Sequence, residues 1–415
     1  MKTRNLKRCA LVSAVLLLIA GPARAQLGLP LPGNPLGTLG QVTQDLGDIA
    51  RDALEPVRDV ARSARSLARE RVQRLTRFAR SNRETVELDD TGAPARRGEV
   101  LLIDPAGEDV ARAEGAGYGV IEQGTIEGLG LAYARLSVPG GRSLGKAIRS
   151  LRKLLPEREI TADQIHFPSG SALSVAASSA ARADLPLGGT VGVIDGGIAG
   201  SDRLASQRGF AEGAPKASEH ASAIASLLAG AGTARLYGAD VYGDDPAGGN
   251  ALAIAKAIGW MRQNAVPVVS ISLVGPKNLL LAKAIAAARA HGMVVVAAVG
   301  NDGAAAPPAY PASYPGVVAV TGVDGKGRVL IEAGKALHLD YAAPGADMSA
   351  LVPGRGRIPL RGTSFAAPLA AARIAARYPR LGSSVAALKA VDSEAVDGSG
   401  RTGRGVLCGA CRKGA

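Results

Sequence analysis

Four residues far apart in the chain have side chains that together could run acyl transfer: Asp195, His220, Asn301 and Ser364. A serine hydroxyl cannot attack an amide at neutral pH without a base. An imidazole can take its proton, a buried carboxylate can hold that imidazole in the right tautomer, and a side-chain amide can donate to the oxyanion that forms. Each residue also has a plain structural reading. Ser364, in "RGTSFAAP", could cap the helix that follows it, and Asp195 in "IDGG" and Asn301 in "VGNDG" could simply make turns. His220, in "EHASA", opens a run of small residues. Of the other three histidines, His291 and His338 lack such a setting and His166 belongs to an earlier part of the chain.

What joins the four is the architecture that must position them. From Thr190 onward apolar segments alternate with amphipathic ones: "TVGVID", the helix from His220, "ARLYGADVYG", the helix around Trp260, "VPVVSISL", the helix "NLLLAKAIAAARA", "MVVVAAVG", "GVVAVTGV", and a helix after Ser364. Strands that are apolar throughout, separated by helices, predict an α/β fold with a mostly parallel sheet covered on both faces. In such sheets ligands bind beyond the carboxyl ends of the strands. All four residues fall at a strand end or a helix start on that rim.

With these residues in view, the segment 190–378 resembles the subtilisin-like serine proteases. Gly362-Thr363-Ser364-Phe365-Ala366-Ala367-Pro368 fits the family's G-T-S-x-A-x-P nucleophile motif, and the order Asp, His, Ser matches subtilisin. The resemblance implies that Ser364 is the nucleophile, His220 the general base and Asp195 its orienting carboxylate, with Asn301 donating to the oxyanion. It further implies that Ser272, Leu273, Val274 and Gly275 of "SISLVGP", with Ala298, Val299 and Gly300 of "VAAVG", line the substrate cleft. No cofactor is required, and no contiguous acidic run suggests a metal loop. The chain departs from the family around His220, where Ala221 stands in place of Gly and the second His is absent. Gly196 also offers no hydroxyl beside Asp195, and Val274 replaces a common Gly and should narrow the cleft.

The expected domains run outward from 190–385, the catalytic region. Residues 99–168 read as a small α+β unit in β-α-β-β-α-β order, ferredoxin-like. By resemblance this unit is a prodomain that inhibits and assists folding, followed at 169–189 by a Ser/Ala-rich linker where self-cleavage would release the enzyme. Residues 46–83 carry apolar positions at helical spacing with Arg51, Arg58, Arg62, Arg65, Arg69 and Arg77 mostly elsewhere, a basic amphipathic helix. It could lie on an anionic membrane surface or pack its stripe on its own protein. Residues 26–45 read as a Pro/Gly-rich linker, and 386–415 as a C-terminal tail in which Cys408 and Cys411 could form a local disulfide.

Residues 1–25 have the parts of an export signal: Lys2, Arg4, Lys7 and Arg8, then an apolar run, then Ala23-Arg24-Ala25. A periplasmic or secreted location is expected. The chain has 415 residues and a formal charge of +13, but an aromatic share of only 3%, which leaves little for a base-stacking platform, so no nucleic-acid partner is expected. The expected partners are a protein or peptide substrate and the chain's own prodomain. Two rivals stay open: a protease-like protein that binds peptides without cutting them, and an adaptor that acts through the Arg-rich helix.

Overall fold

The structure is a computed structural model that describes residues 66–169, 171–172, 187–381 and 383–414. The chain divides into Met1–Arg58, which lies outside the described residues, and Asp59–Ala415, to which everything below belongs. The expected export signal, the 26–45 linker, the first part of the basic helix and most of the 169–189 linker therefore lie outside the described residues.

The described chain opens on helix α1 (residues 66–81). A small sheet follows, built from β1 (Val86–Leu88), β2 (Pro94–Ile103), β3 (Gly119–Ile126), β4 (Leu131–Ser137) and β5 (Glu159–Gln164), with α2 (Gly107–Gly115) and α3 (Leu144–Leu154) as its crossovers. The pairings run β5-β2-β4-β3, all antiparallel, with β1 also on β2. This is the split β-α-β arrangement. It starts earlier than residue 99, because β1 and the head of β2 belong to the sheet.

The run "VLLI" in β2 is apolar throughout because both of its faces are covered. Alternation along a strand sends Val100 and Leu102 one way and Leu101 and Ile103 the other. The first pair packs with Ala147, Ile148 and Leu151, which recur at helical spacing on α3. The second packs with Leu252, Ala255, Leu280 and Ala284 of the larger unit.

That larger unit contains β8 (Thr190–Asp195), β9 (Leu204–Gly209), α4 (Glu219–Gly230), β10 (Arg235–Asp240), α5 (Ala251–Gln263), β11 (Val268–Ile271), β12 (Leu273–Val274), α6 (Leu279–Ala290), β13 (Val294–Ala298), β14 (Val318–Val323), β15 (Tyr341–Pro344), β16 (Met348–Val352), β17 (Gly356–Arg361), α7 (Thr363–Leu381) and α8 (Ser384–Asp392). Seven of the strands form one parallel sheet in the order β15-β14-β13-β11-β8-β10-β9. Alternate residues of its strands feed two cores. Val191, Val193, Val294 and Val296 pack with α4 and α7 on one face, and Ile194, Val269, Val295 and Ala297 pack with α5 and α6 on the other. Strand order reverses between β8 and β11, and the crevice beyond their carboxyl ends is where such a sheet binds ligands.

Two short strands tie the segment after β5 to this unit. β6 (Phe167–Pro168) pairs with β12, and β7 (Ser171–Ala172) pairs with β17, both antiparallel. Thus "ITADQIHF" closes the small sheet only as far as Gln164. The expectation of a tail from residue 386 is also corrected, because α8 packs on α7 and the residues after it return to β15 and β16. Val406 pairs with Ala342 and Lys413 with Ser349, while Leu407 is fully buried. Cys408 and Cys411 are joined by a disulfide.

Candidate active site

Asp195 is the last residue of β8, and the helix start of α4 stands against it. Helix α4 begins where Ser218 accepts the Ala221 N–H, which sets His220 in the first turn. The imidazole Nδ1 lies 3.0 and 2.9 Å from the two carboxylate oxygens of Asp195. Asp195 is 1% exposed, and its Oδ1 also accepts the Gly196 N–H at 2.8 Å. The absence of a hydroxyl at Gly196 has a steric reason: a Cβ there would come 2.6 Å from the Cβ of Ser218. Glycine lets the cap of α4 approach the end of β8.

On its other side the His220 ring offers Nε2 to Ser364 Oγ at 3.0 Å. Ser364 is fully buried near the start of α7, a helix whose small residues let it run between α4 and the sheet. The hydroxyl of Ser272 donates to the Ser364 carbonyl at 2.7 Å, which ties the end of β11 to this helix start. Asp195, His220 and Ser364 therefore form one continuous chain of contacts, a base between a hydroxyl and an orienting carboxylate.

Asn301 follows β13 and faces the same helix start. Its Oδ1 accepts the Thr363 N–H at 3.0 Å, which leaves Nδ2 directed at the carbonyl oxygen of Ser169, to which it donates. The Ser364 N–H donates to that same oxygen at 3.0 Å. A peptide carbonyl of the chain is thus held between a side-chain amide and a backbone N–H at the positive end of a helix, the arrangement that stabilises an oxyanion.

The flanking residues hold that peptide as an extended strand. The Ser169 N–H donates to the Ser272 carbonyl at 3.0 Å, Pro168 stands opposite Leu273, and Phe167 stands opposite Val274. Beyond Ser169, Ser171 stands opposite Arg361. His166 is fully buried, its N–H donating to the Gly249 carbonyl at 2.8 Å. A Cβ on Gly275 would come 2.5 Å from the His166 ring, so the ring lies flat on that glycine. Burial pushes its imidazole down to about 4, so the side chain occupies this slot uncharged.

Of the residues expected to line the cleft, Val274, Gly275, Val299 and Gly300 border a cavity of about 800 Å³ beside Ser169. A Cβ on Gly300 would lie 3.3 Å from Val274 Cγ1, which places the valine side chain beside Gly300 at the edge of that cavity. Ser272 contributes through its carbonyl. Leu273 and Ala298 are corrected: both side chains are fully buried in the two cores, and Leu273 stands opposite Pro168 in the strand pairing. Alternation turns these two inward. Sequence reasoning missed Asp302, which also borders the cavity, and gave Phe167 and Pro168 no part in the site, while Ser169 entered only as the first residue of the linker expected to be self-cleaved. Adjacency to Asn301 was the available signal for Asp302. No local pattern marks a segment that docks 132 residues away in sequence.

Comparison with known proteins places the chain in a family. The model of the subtilase family matches residues 188–396. Subtilisin DY of Bacillus licheniformis is 37% identical over 139 residues, covering 32% of this chain and 51% of that protein. Subtilisin BL of Lederbergia lenta is 31% identical over 194 residues, 43% of this chain and 71% of that protein. The chain thus spans about half the length of the first of these relatives. Among solved structures, fervidolysin from Fervidobacterium pennivorans, described as a keratinolytic enzyme related to subtilisin, gives a TM-score of 0.62 at 16% identity, covering 79% of this chain and 62% of that one. The epidermin leader peptide processing serine protease from Staphylococcus aureus, solved as a serine-to-alanine mutant, gives 0.57 at 16% identity, covering 76% and 99%. At such identities these two likenesses are of fold.

Proposed function

The chain belongs to the subtilase family, and from that premise we propose that it is an exported serine endopeptidase whose first substrate is its own Ser169–Gly170 bond. The observation that carries this reading is the Ser169 carbonyl oxygen, held by Asn301 and the Ser364 N–H beside the His220–Ser364 pair.

His220 Nε2 takes the Ser364 proton as Oγ bonds to the Ser169 carbonyl carbon. The electron pair displaced onto oxygen is held by the Asn301 amide and the Ser364 N–H, while Asp195 stabilises the imidazolium. When the C–N bond breaks, the imidazolium gives its proton to the departing Gly170 nitrogen and Ser169 remains as an ester on Ser364. A water deprotonated by His220 then hydrolyses the ester and restores the hydroxyl. The paired strands on both sides of Ser169 support this choice of bond, because they fix the carbonyl by backbone contacts rather than by one side chain. The α+β unit would then be a prodomain whose new carboxyl end lies in the cleft it blocks. Other proteins or peptides are the proposed later substrates, and the basic and apolar start of the chain supports export to a periplasm or beyond.

N-terminal sequencing and a serine-directed fluorophosphonate probe test the reading together. The parent chain should yield a fragment beginning at Gly170 and label with the probe, and Ser364→Ala should do neither. A folded parent chain that stays uncut and unlabelled would instead make it a peptide-binding relative of the proteases.

A further inference from the structure

The basic stripe of the N-terminal helix has a specific seat. Leu67, Arg71, Arg74, Leu75 and Phe78 recur along one side of α1, as a helix face requires, and that side lies over the cavity beside Ser169. Arg71 Nε is 3.0 Å from Asp302 Oδ2, and Arg74 reaches Asp302 Oδ1 at 2.5 Å. Leu67 comes within 3.0 Å of where a Cβ on Gly303 would stand. Phe78 meets Phe167 edge to face, with ring centroids 5.0 Å apart. Arg69, Arg77 and Arg80 are exposed away from this contact.

Asp302 directly follows the oxyanion donor Asn301 and is 19% exposed. Both of its ion pairs recorded among the described residues go to α1. A carboxylate at the edge of a substrate cavity, met by two guanidinium groups from a helix that also presses on the strand leading to Ser169, is more than a chance surface pairing. We propose that the surface around Asp302 and Gly303 is a docking site for a basic helix, and that residues 66–81 occupy it as a second closure of the cleft, ionic where the Phe167–Ser169 strand is hydrogen-bonded. The inhibitory part of this proposal rests on the peptidase reading; the docking does not.

Once the bond after Ser169 is cut, α1 has no covalent tie to the surface it covers. Its hold then combines the apolar contacts of Leu67 and Phe78 with an ionic part in which Arg74 is 61% exposed, so salt should weaken that part. Release of α1 would open the cavity beside Ser169 and free the Asp302 carboxylate at its edge. The ionic part of the closure is therefore graded by ionic strength, in contrast to the backbone pairing of the Phe167–Ser169 strand.

Two measurements on the full chain separate docking from inhibition. In the Ser364→Ala chain, which stays intact, amide hydrogen exchange of residues 66–81 should rise about tenfold in Arg71→Glu/Arg74→Glu and on moving from about 0.05 M to about 1 M salt. Adding Asp302→Arg to the double variant should restore protection. In the chain that keeps Ser364, Arg71→Glu/Arg74→Glu should shorten the delay before a chromogenic peptide is hydrolysed. Unchanged exchange in the double variant overturns the docking site. Faster exchange with an unchanged delay overturns the closure. Salt-sensitive, charge-reversible exchange with no hydrolysis in any chain supports the docking site and overturns the peptidase reading on which the closure rests.

Discussion

Asn301 can donate to a developing oxyanion only if its side-chain amide faces the right way, and Thr363 fixes that orientation. The Thr363 N–H takes Oδ1 as its acceptor at 3.0 Å, so Nδ2 is the atom left for the Ser169 carbonyl. Asn301→Ala should lower kcat for peptide hydrolysis about 10²–10³-fold with KM changed only a few-fold, since the bond strengthens as charge develops. Asn301→Asp should fall at least as far: one carboxylate oxygen would still accept from Thr363 while the other would face the oxyanion and repel it. Steady-state kinetics of the two variants check both expectations, and an Asp variant more active than the Ala variant would contradict them. At this scale the site was legible in the sequence because its chemistry demands particular residue types at strand ends and helix starts. Ser169 was legible only as the first residue of the 169–189 linker expected to be cut, because the contact is made by a backbone carbonyl, which any residue possesses.

Strand β5 shows how one element can hold a second unit over the first. It lies across the starts of α5 and α6, where Asp163 Oδ1 accepts the Leu252 N–H at 2.9 Å. The Asn278 side chain, which caps α6 through its own oxygen, donates to the Ala162 carbonyl at 2.9 Å and to Gln164. Helix starts expose N–H groups and a positive dipole end, so acceptors from the neighbouring strand satisfy them. Asp163 is fully buried, however, and desolvation raises its carboxyl from the ordinary 3.8 to about 7, against the opposing Leu252 N–H and the nearby charge of Arg96. A group whose pKa rises on docking favours docking below its free value and loses that contribution as pH climbs through the docked one. Between about pH 4 and 7 the folded chain should therefore lose stability, the direction being set by the burial of Asp163. Asp163→Asn keeps an acceptor for Leu252 and removes the ionisation. The Ser364→Ala chain should thus lose thermal stability across that window, and the same chain carrying Asp163→Asn should lose less. The apolar run in β2 announced the sheet, and helical spacing announced α1 and α3, since periodicity records which face is covered. It does not record by what. The surfaces that cover Leu101, Leu252 and Arg71 belong to partners far away in sequence, and only the folded chain shows them.

Over the whole molecule, α7 carries Ser364 at one end and depends on the C-terminal residues at the other. Arg373, in the middle of this helix, has a fully buried side chain, and its guanidinium lies 2.8 and 2.9 Å from Glu394 Oε2. Arg377, one turn further on, meets Oε1 of the same carboxylate at 2.5 and 2.6 Å. Glu394 therefore neutralises two cations, one of them out of water, and fastens the segment after α8 to the helix that presents the nucleophile. Composition alone could not reveal this, because a short Gly- and Arg-rich end reads as solvated until Val406 and Leu407 are seen against β15 and the core. Removing one partner of a buried pair strands the other charge, whereas replacing both with apolar groups of similar volume removes the desolvation penalty together with the attraction. Glu394→Ala should accordingly cost about 3–5 kcal/mol, while Arg373→Met with Glu394→Leu should cost much less despite deleting the same ion pair. Denaturant unfolding in the Ser364→Ala background, where self-digestion cannot intervene, reads both. Equal losses in the single and double variants would mean that the attraction itself, and not the stranded guanidinium, sets how firmly α7 is held behind Ser364.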